Sequence, residues 1–288
     1  MINSKPYNKL INKSINFSNC GFRFGFHAGV IDQLINNKID FKVKSGIGGG
    51  AIALFCWICG DWEKTLEAAL KISPKDVLGV EPRSFLGLIK AVKNIRSRNG
   101  LYDLEGLKNL LLQVCNKDVF NLYCREVSNV YIGVSNRKSD IIYFDITKMR
   151  FEEALDIVID SNRITGLTSF NKYLNGGYVD GIGTQYILKK FPEMQPISVF
   201  ARTKKINSLL TEDNNNMFDA YIWSTEKQLR NNSFKSEKTA DILTSYIDTL
   251  HLKYFMSEED KGTFFNSTIE NNRKLINQGR SLNLKAIQ

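Results

Sequence analysis

The sequence predicts an α/β protein with a mainly parallel central sheet, and three observations carry that prediction. The short alternating run Ile15-Asn16-Phe17-Ser18 leads through a glycine-containing turn into an apolar segment. Phe41–Ser45 leads through a denser glycine turn, Gly46-Ile47-Gly48-Gly49-Gly50, into a second apolar segment. Strand, turn and helix repeated in that order imply parallel strands with crossover helices. Late in the chain, Ile197-Ser198-Val199-Phe200-Ala201 reads as a further buried strand.

In chain order, residues 26–35 read as a helix with Val30 and Leu34 on one face, ended by Asn36-Asn37. Ala51–Cys59 is the helix fed by the glycine turn. Asp61–Leu70 is another, with Asp61 as its cap. Ser84–Arg98 and Leu104–Cys115 are amphipathic; Leu107, Leu110, Leu111 and Val114 recur at i, i+3, i+4 and i+7. Val130–Val134 and Ile141–Asp145 flank a polar turn and predict a strand pair. Phe151–Asp160 is helical. After about residue 205 the pattern predicts helices at Met217–Leu229, Thr239–Phe255 and Glu258–Gln278, broken by Asn-rich loops. No repeat, low-complexity block or linker divides the 288 residues. The expected organisation is an α/β domain over 1–204 with a helical extension over 205–288 packed on it.

Composition sets the class. A 43% hydrophobic, 24% charged chain has room for a sizeable core. No window approaches 18 apolar residues, so no transmembrane helix is expected. The basic N-terminus lacks an apolar core and a cleavage site, so no signal peptide is expected either. The net charge of +9 favours an anionic partner, such as a lipid surface. The alternative is scattered lysines that keep the chain in solution. No nucleic-acid motif is present, and no nucleic-acid partner is expected. Five cysteines, an odd count, suit free thiols in a reducing compartment. Cys56-Trp57-Ile58-Cys59 has redox spacing. It lies in an apolar segment without a second cysteine pair or histidine beside it in sequence, so buried helical thiols are expected rather than a metal site. No glycine loop is followed by Lys-Ser/Thr, which excludes a P-loop.

Three separated pieces carry chemistry. Gly46–Gly50 has the frame of a nucleophile elbow, Gly-x-Ser-x-Gly, with Gly48 at the nucleophile position. Asn19-Cys20-Gly21-Phe22-Arg23 forms the turn after the first strand. Tyr178-Val179-Asp180-Gly181 lies late in the chain. In this order they resemble the patatin-like phospholipase family of serine acyl hydrolases, over roughly residues 14–202. That family has a Gly-Gly-Gly-x-Arg oxyanion loop, a Gly-x-Ser-x-Gly elbow and an Asp-Gly motif. The resemblance implies a three-layer α/β/α fold, a lipid or acyl-ester substrate, no cofactor and no metal. It assigns Gly46 and Gly50 to the elbow and Cys20, Gly21, Phe22 and Arg23 to the oxyanion loop. Asp180 becomes the general base of a Ser–Asp dyad whose nucleophile position is Gly48. Expected localisation is cytoplasmic, with peripheral contact to a membrane.

The departures decide activity. Acyl transfer needs N–H donors at the developing oxyanion and an attacking oxygen. Gly48 has no oxygen, and Ser45 lies three residues upstream, at the strand end. Ile182 stands where the family has a small residue, Asn19-Cys20 stands for Gly-Gly, and Ser161–Leu167 lacks the family's proline. These further departures favour natural loss over an engineered one. The resemblance therefore implies an inactive or very weak phospholipase. The alternative reading is a pseudoenzyme that serves as a lipid-binding, membrane-surface or protein-interaction module. An unrelated nucleotide-binding α/β protein ranks last. Outside the resemblance, Gly48 reads as a tight turn, Asp180 as a turn residue, Arg23 as a structural ion-pair residue, and His27 and His251 as structural.

Overall fold

The computed structural model describes residues 8–80, 84–96, 102–126, 129–135, 141–164, 168, 173, 186–187, 189–199, 202–203, 255–256, 268–282 and 284. Strands β1 (Asn8–Phe17), β2 (Ile39–Ile47), β3 (Val130–Ser135), β4 (Ile141–Asp145) and β5 (Gln195–Val199) form one sheet in the order β4-β3-β2-β1-β5. β1 pairs in parallel with β2 and β5, and β2 pairs in parallel with β3; β4 alone is antiparallel. The sheet is mainly parallel, as the strand–turn–helix units predict. Pro196, which cannot donate to a ladder, sits on edge strand β5.

Crossovers put helices α1 (Phe24–Asn36) and α2 (Gly49–Cys59) after β1 and β2. α2 is apolar on nearly every face, which is the pattern of a helix buried all round. Leu54, Phe55 and Ile58 pack with Phe120 and Phe151 in one cluster, while Ala53 joins the cluster around α1. α3 (Trp62–Lys71), α4 (Pro74–Leu78), α5 (Phe85–Arg96), α6 (Glu105–Val114), α7 (Lys117–Glu126) and α8 (Phe151–Ser161) follow in order. On the opposite sheet face, Val43 and Tyr131 pack against Ile187 and Met194. Helices on both sides of the sheet make the three layers.

Two helices lie outside the expectations from sequence, and two expectations are corrected. α4 is missing from the sequence pattern because it is set by caps rather than periodicity: Pro74 opens it, Ser73 and Asp76 form a capping box, and Gly79 ends it at φ 70°. α7 is missing because it buries only Phe120 fully; Asn116 caps it by accepting from the Asp118 and Val119 N–H groups. The helix expected over Glu258–Gln278 begins at Ile269 as α9 (Ile269–Arg280). Thr268 is extended at φ −118°, ψ 153°, and caps the Asn271 N–H. Phe255, expected in a helix, lies in β7 (Phe255–Met256), paired with β6 (Arg202–Thr203). The helix expected at Met217–Leu229 lies outside the described residues.

α9 closes onto α1. Gly29 and Gly279 meet at the crossing, where a Cβ on Gly29 would lie 3.0 Å from the Gly279 Cα. Arg280 pairs with Asp32 at 2.7 Å, and Asp32 also accepts from the Trp62 indole at 2.9 Å. β2 carries a charge into the core. Lys44 is fully buried, paired with Asp40 at 2.7 Å, donating to the Phe41 carbonyl, with its ammonium beside the Trp57 and Tyr123 rings. A buried cation is tolerated when paired and hydrogen-bonded in this way.

Candidate functional site

The carboxyl ends of β1 and β2 lie side by side at the middle of the sheet, with Phe17 in register with Gly46. In parallel α/β sheets this end collects the loops that carry function. β1 runs out through Ser18, Asn19 and Cys20 into the tight turn Gly21–Arg23 and α1. β2 runs out through Gly48 into α2. The turn predicted at Asn19–Arg23 and the elbow predicted at Gly46–Gly50 are thus in direct contact.

The elbow is sharp. Gly48 sits at φ 56°, ψ −127°, a region in which side chains are strained, and forms the N-cap of α2. Its neighbours approach as closely as backbones can. A Cβ on Gly46 would lie 2.6 Å from the Gly50 carbonyl oxygen, and one on Gly50 would lie 2.5 Å from the Ser18 carbonyl oxygen. The frame glycines are therefore demanded by packing between the two turns.

α8 holds Gly48 from the other side. The Gly48 N–H donates to Ser161 Oγ at 2.8 Å, and that hydroxyl donates onward to the Gly133 carbonyl at 2.6 Å. Asn162 Nδ2 donates to the Gly48 carbonyl at 3.1 Å. Sequence reasoning misses Ser161 and Asn162 as elbow supports. The only signal for them is the departure of the 161–167 segment from the family pattern.

Asn19 faces the elbow. Its Oδ1 accepts from the Gly49 N–H at 3.2 Å and the Gly21 N–H at 3.4 Å. Two backbone donors converging on one atom identify that atom as the amide oxygen. A Cβ built on Gly48 would overlap Asn19 Oδ1 and Cγ, and one built on Gly49 would overlap Cys20 Sγ. Cys20 is fully buried, and burial pushes its thiol far above the ordinary range, with the Arg23 charge acting in the other direction. It is not a nucleophile here.

Arg23 is buried at the start of α1. His27 is fully buried, and its Nε2 bonds the Ser18 carbonyl at 2.9 Å, tying α1 to the start of the loop. Burial lowers its pKa to about 4, so the ring is neutral and structural. Ser45 is buried and donates to Asn16 Oδ1 at 2.7 Å, inside the sheet. The Phe22 side chain, Tyr178–Ile182 with Asp180, and His251 lie outside the described residues.

Beside the first turn lies an apolar cavity of about 90 Å³. α2 contributes Ile52 and Cys56, α3 Ala68 and Ala69, and α6 Leu107 and Leu111. Gly21 and Phe24 of the first turn also line it, as does Asn162, which holds the Gly48 carbonyl. Cys56 and Cys59 are buried helical thiols, as expected. The fold adds a third that sequence separation conceals: Cys115 Sγ lies 3.9 Å from Cys56 Sγ. That bond and burial both raise the Cys56 pKa. Among the described residues no group of His, Cys, Asp and Glu could hold a metal ion. Among them, too, no helix is long and apolar enough to cross a membrane.

The family model described as patatin-like phospholipase matches residues 17–279. The chain belongs to the patatin-like phospholipase family. Its three-layer sheet is the patatin-like fold. VipD from Legionella pneumophila is similar in structure, with TM-score 0.50 and 11% identity over 96% of this chain and 66% of that one. The type III effector protein ExoU, of Pseudomonas aeruginosa, gives TM-score 0.42 and 11% identity over 93% of this chain and 51% of that one. This patatin-like chain thus spans about two thirds of VipD and half of ExoU. No curated protein matches its sequence.

Proposed function

We propose that this patatin-like protein binds acyl chains or acyl esters and does not hydrolyse them. The family's Ser–Asp chemistry needs an attacking oxygen at position 48, and Gly48 has none. Among the described residues, the hydroxyls of Ser45 and Ser161 offer no substitute. Ser45 is bonded within the sheet, and Ser161 is buried between Gly48 and Gly133. On the family resemblance Asp180 is the general base, and it has no hydroxyl here to deprotonate. Cys20, Gly21, Phe22 and Arg23 keep the position of the oxyanion loop, and Gly46 and Gly50 the elbow frame.

The single observation that supports retained binding is the apolar cavity that reaches Gly21 of the first turn and Asn162, which holds the Gly48 carbonyl. It is walled by Ile52, Leu107 and Leu111 and touches Gly21, so an acyl chain lying in it brings its carboxyl end toward the loop. The test is paired: long-chain fatty acid binding by titration calorimetry, and release of p-nitrophenol from a p-nitrophenyl ester. Saturable binding without turnover is expected. Turnover by the unaltered chain sinks the proposal.

A second observation supports an anionic membrane surface as partner. α5 exposes Phe85, Leu86, Ile89 and Val92 along one stripe. α5 carries Lys93 and Lys90, the latter paired with Asp103 at 3.1 Å, and Arg83, Arg96 and Arg98 are close in sequence. Basic residues beside an exposed apolar stripe suit a helix lying on an anionic bilayer. Co-sedimentation with phosphatidylserine-containing vesicles, lost in Phe85→Ser/Leu86→Ser and absent with neutral vesicles, is the expected result.

A further inference from the structure

We infer that the Asn19 side chain is an internal occupant of the oxyanion site. On this account Asn19 and Gly48 form one coupled lock, so that restoring serine at 48 alone cannot reopen the site. The inference rests on reading Gly46–Gly50 as a nucleophile elbow, and it adds a second residue to that reading.

The geometry carries it in two independent ways. The first is hydrogen bonding. An oxyanion site is made of N–H groups aimed at one point, among them the N–H after the nucleophile. Here that group is the Gly49 N–H, and the Gly21 N–H of the facing loop aims at the same point. Both already donate to Asn19 Oδ1, at 3.2 and 3.4 Å. These bonds are longer than the about 2.7–3.1 Å expected to a full oxyanion. That length is consistent with a neutral amide oxygen standing where a negative one would form. A substrate carbonyl has to displace the carboxamide before it can be polarised.

The second is volume. A Cβ at position 48 overlaps Asn19 Oδ1 and Cγ, and one at position 49 overlaps Cys20 Sγ. Side chains on the loop at 19 and 20 thus face side-chain-free positions on the elbow at 48 and 49. The family's loop has glycines where Asn19 and Cys20 stand, and its elbow has a serine where Gly48 stands. Atoms have moved from one turn to the other across the same gap. The lock is also anchored: the Ser18 carbonyl is held by His27, and Gly48 by Ser161. Neither backbone can retreat to make room for a new Cβ without losing a buried hydrogen bond.

The test is a double-mutant cycle on the full chain with Asn19→Gly, Gly48→Ser and both together, read by thermal unfolding and by labelling with a long-chain fluorophosphonate. Coupled residues give non-additive changes. Gly48→Ser is expected to lower Tm by about 5 °C or more with Asn19 present, and by clearly less in the Asn19→Gly background, where only the backbone strain at φ 56° remains. Labelling forms an Oγ–P bond at the serine introduced at position 48 with loss of fluoride, the proton passing to Asp180. It is expected in the double variant and not in Gly48→Ser.

Equal Tm losses in the two backgrounds overturn the lock. Unequal losses without labelling keep the lock and contradict the Ser–Asp reading of the site instead. If Gly48→Ser folds in neither background, the decision passes to Asn19→Gly alone, which adds no atoms. Its Gly49 N–H should then exchange with solvent at least tenfold faster, with the rest of α2 unaffected. Unchanged exchange there overturns the inference.

Discussion

The elbow and the apolar cavity are neighbours built from the same elements, and they differ in kind. At the elbow every contact is fixed. Gly48 is clamped on both its N–H and its carbonyl by α8 and the residue that follows it, Gly50 lies against the Ser18 carbonyl, and the N–H groups that would stabilise an oxyanion are taken by Asn19. Across Gly21, a space of about 90 Å³ stays open between α2, α3 and α6 and is lined almost wholly by apolar side chains. On the proposed function, the chemical end of the site has closed while the binding end has not. On that reading, a turn without its catalytic group keeps its backbone because the sheet and α2 depend on it. An unfilled apolar space is not stabilising in itself, since a dry void forfeits dispersion contacts. On the proposed function, an acyl ligand fills it.

The first way to break this comparison is to disturb the fixed side. Gly50→Ala puts a methyl group against two carbonyls that the strand and loop cannot move. It should cost about 3 kcal/mol or more, seen as a lower urea midpoint. A loss under about 1 kcal/mol would show that the elbow can yield.

Acid should strike the same region. His27 is neutral in the fold with a pKa of about 4, below its ordinary 6.5. The unfolded chain then binds the proton more readily, so stability is full above pH 6.5 and falls as pH drops from 6.5 toward 4. The contribution lost is on the order of 3 kcal/mol by about pH 4. His27→Gln, measured at neutral pH and at about pH 4.5, should flatten that part of the pH profile.

Ser161→Ala removes the acceptor for the buried Gly48 N–H and should cost about 1–3 kcal/mol in chemical denaturation. On the open side the expected effects are smaller for stability and larger for binding. Ala68→Leu projects into the cavity and should change stability by about 1 kcal/mol or less while weakening fatty-acid binding at least tenfold, by calorimetry. If it leaves binding unaltered, the acyl chain lies elsewhere.

In the sequence the frame is legible and the lock is hidden. Strand–turn–helix order at Phe17–Gly25 and Phe41–Cys59 is a local signal, so the parallel sheet and both turns follow from it. Gly48 is visible as a departure from the elbow motif because the motif is short and contiguous. Asn19 reads only as a departure from a glycine loop, because its meaning lies in a residue 29 positions on that it faces across two turns. Ser161 lies 113 positions from Gly48 and carries no motif. The Cys56–Cys115 contact spans 59 positions, which spacing rules applied to Cys56-Trp57-Ile58-Cys59 do not reach. α4 escapes a periodicity search because caps, not a periodic apolar face, define it.

The most direct test of an open binding end beside a closed chemical end is residue-resolved. Isotope-labelled protein titrated with a long-chain fatty acid should show amide shifts gathered on Ala68, Ala69, Leu107 and Leu111, with Gly48 and Gly49 unmoved. Strong shifts at Gly49 would place a carboxylate where Asn19 is held to be. That result, or saturating ligand with no shift along α3 and α6, would contradict the account.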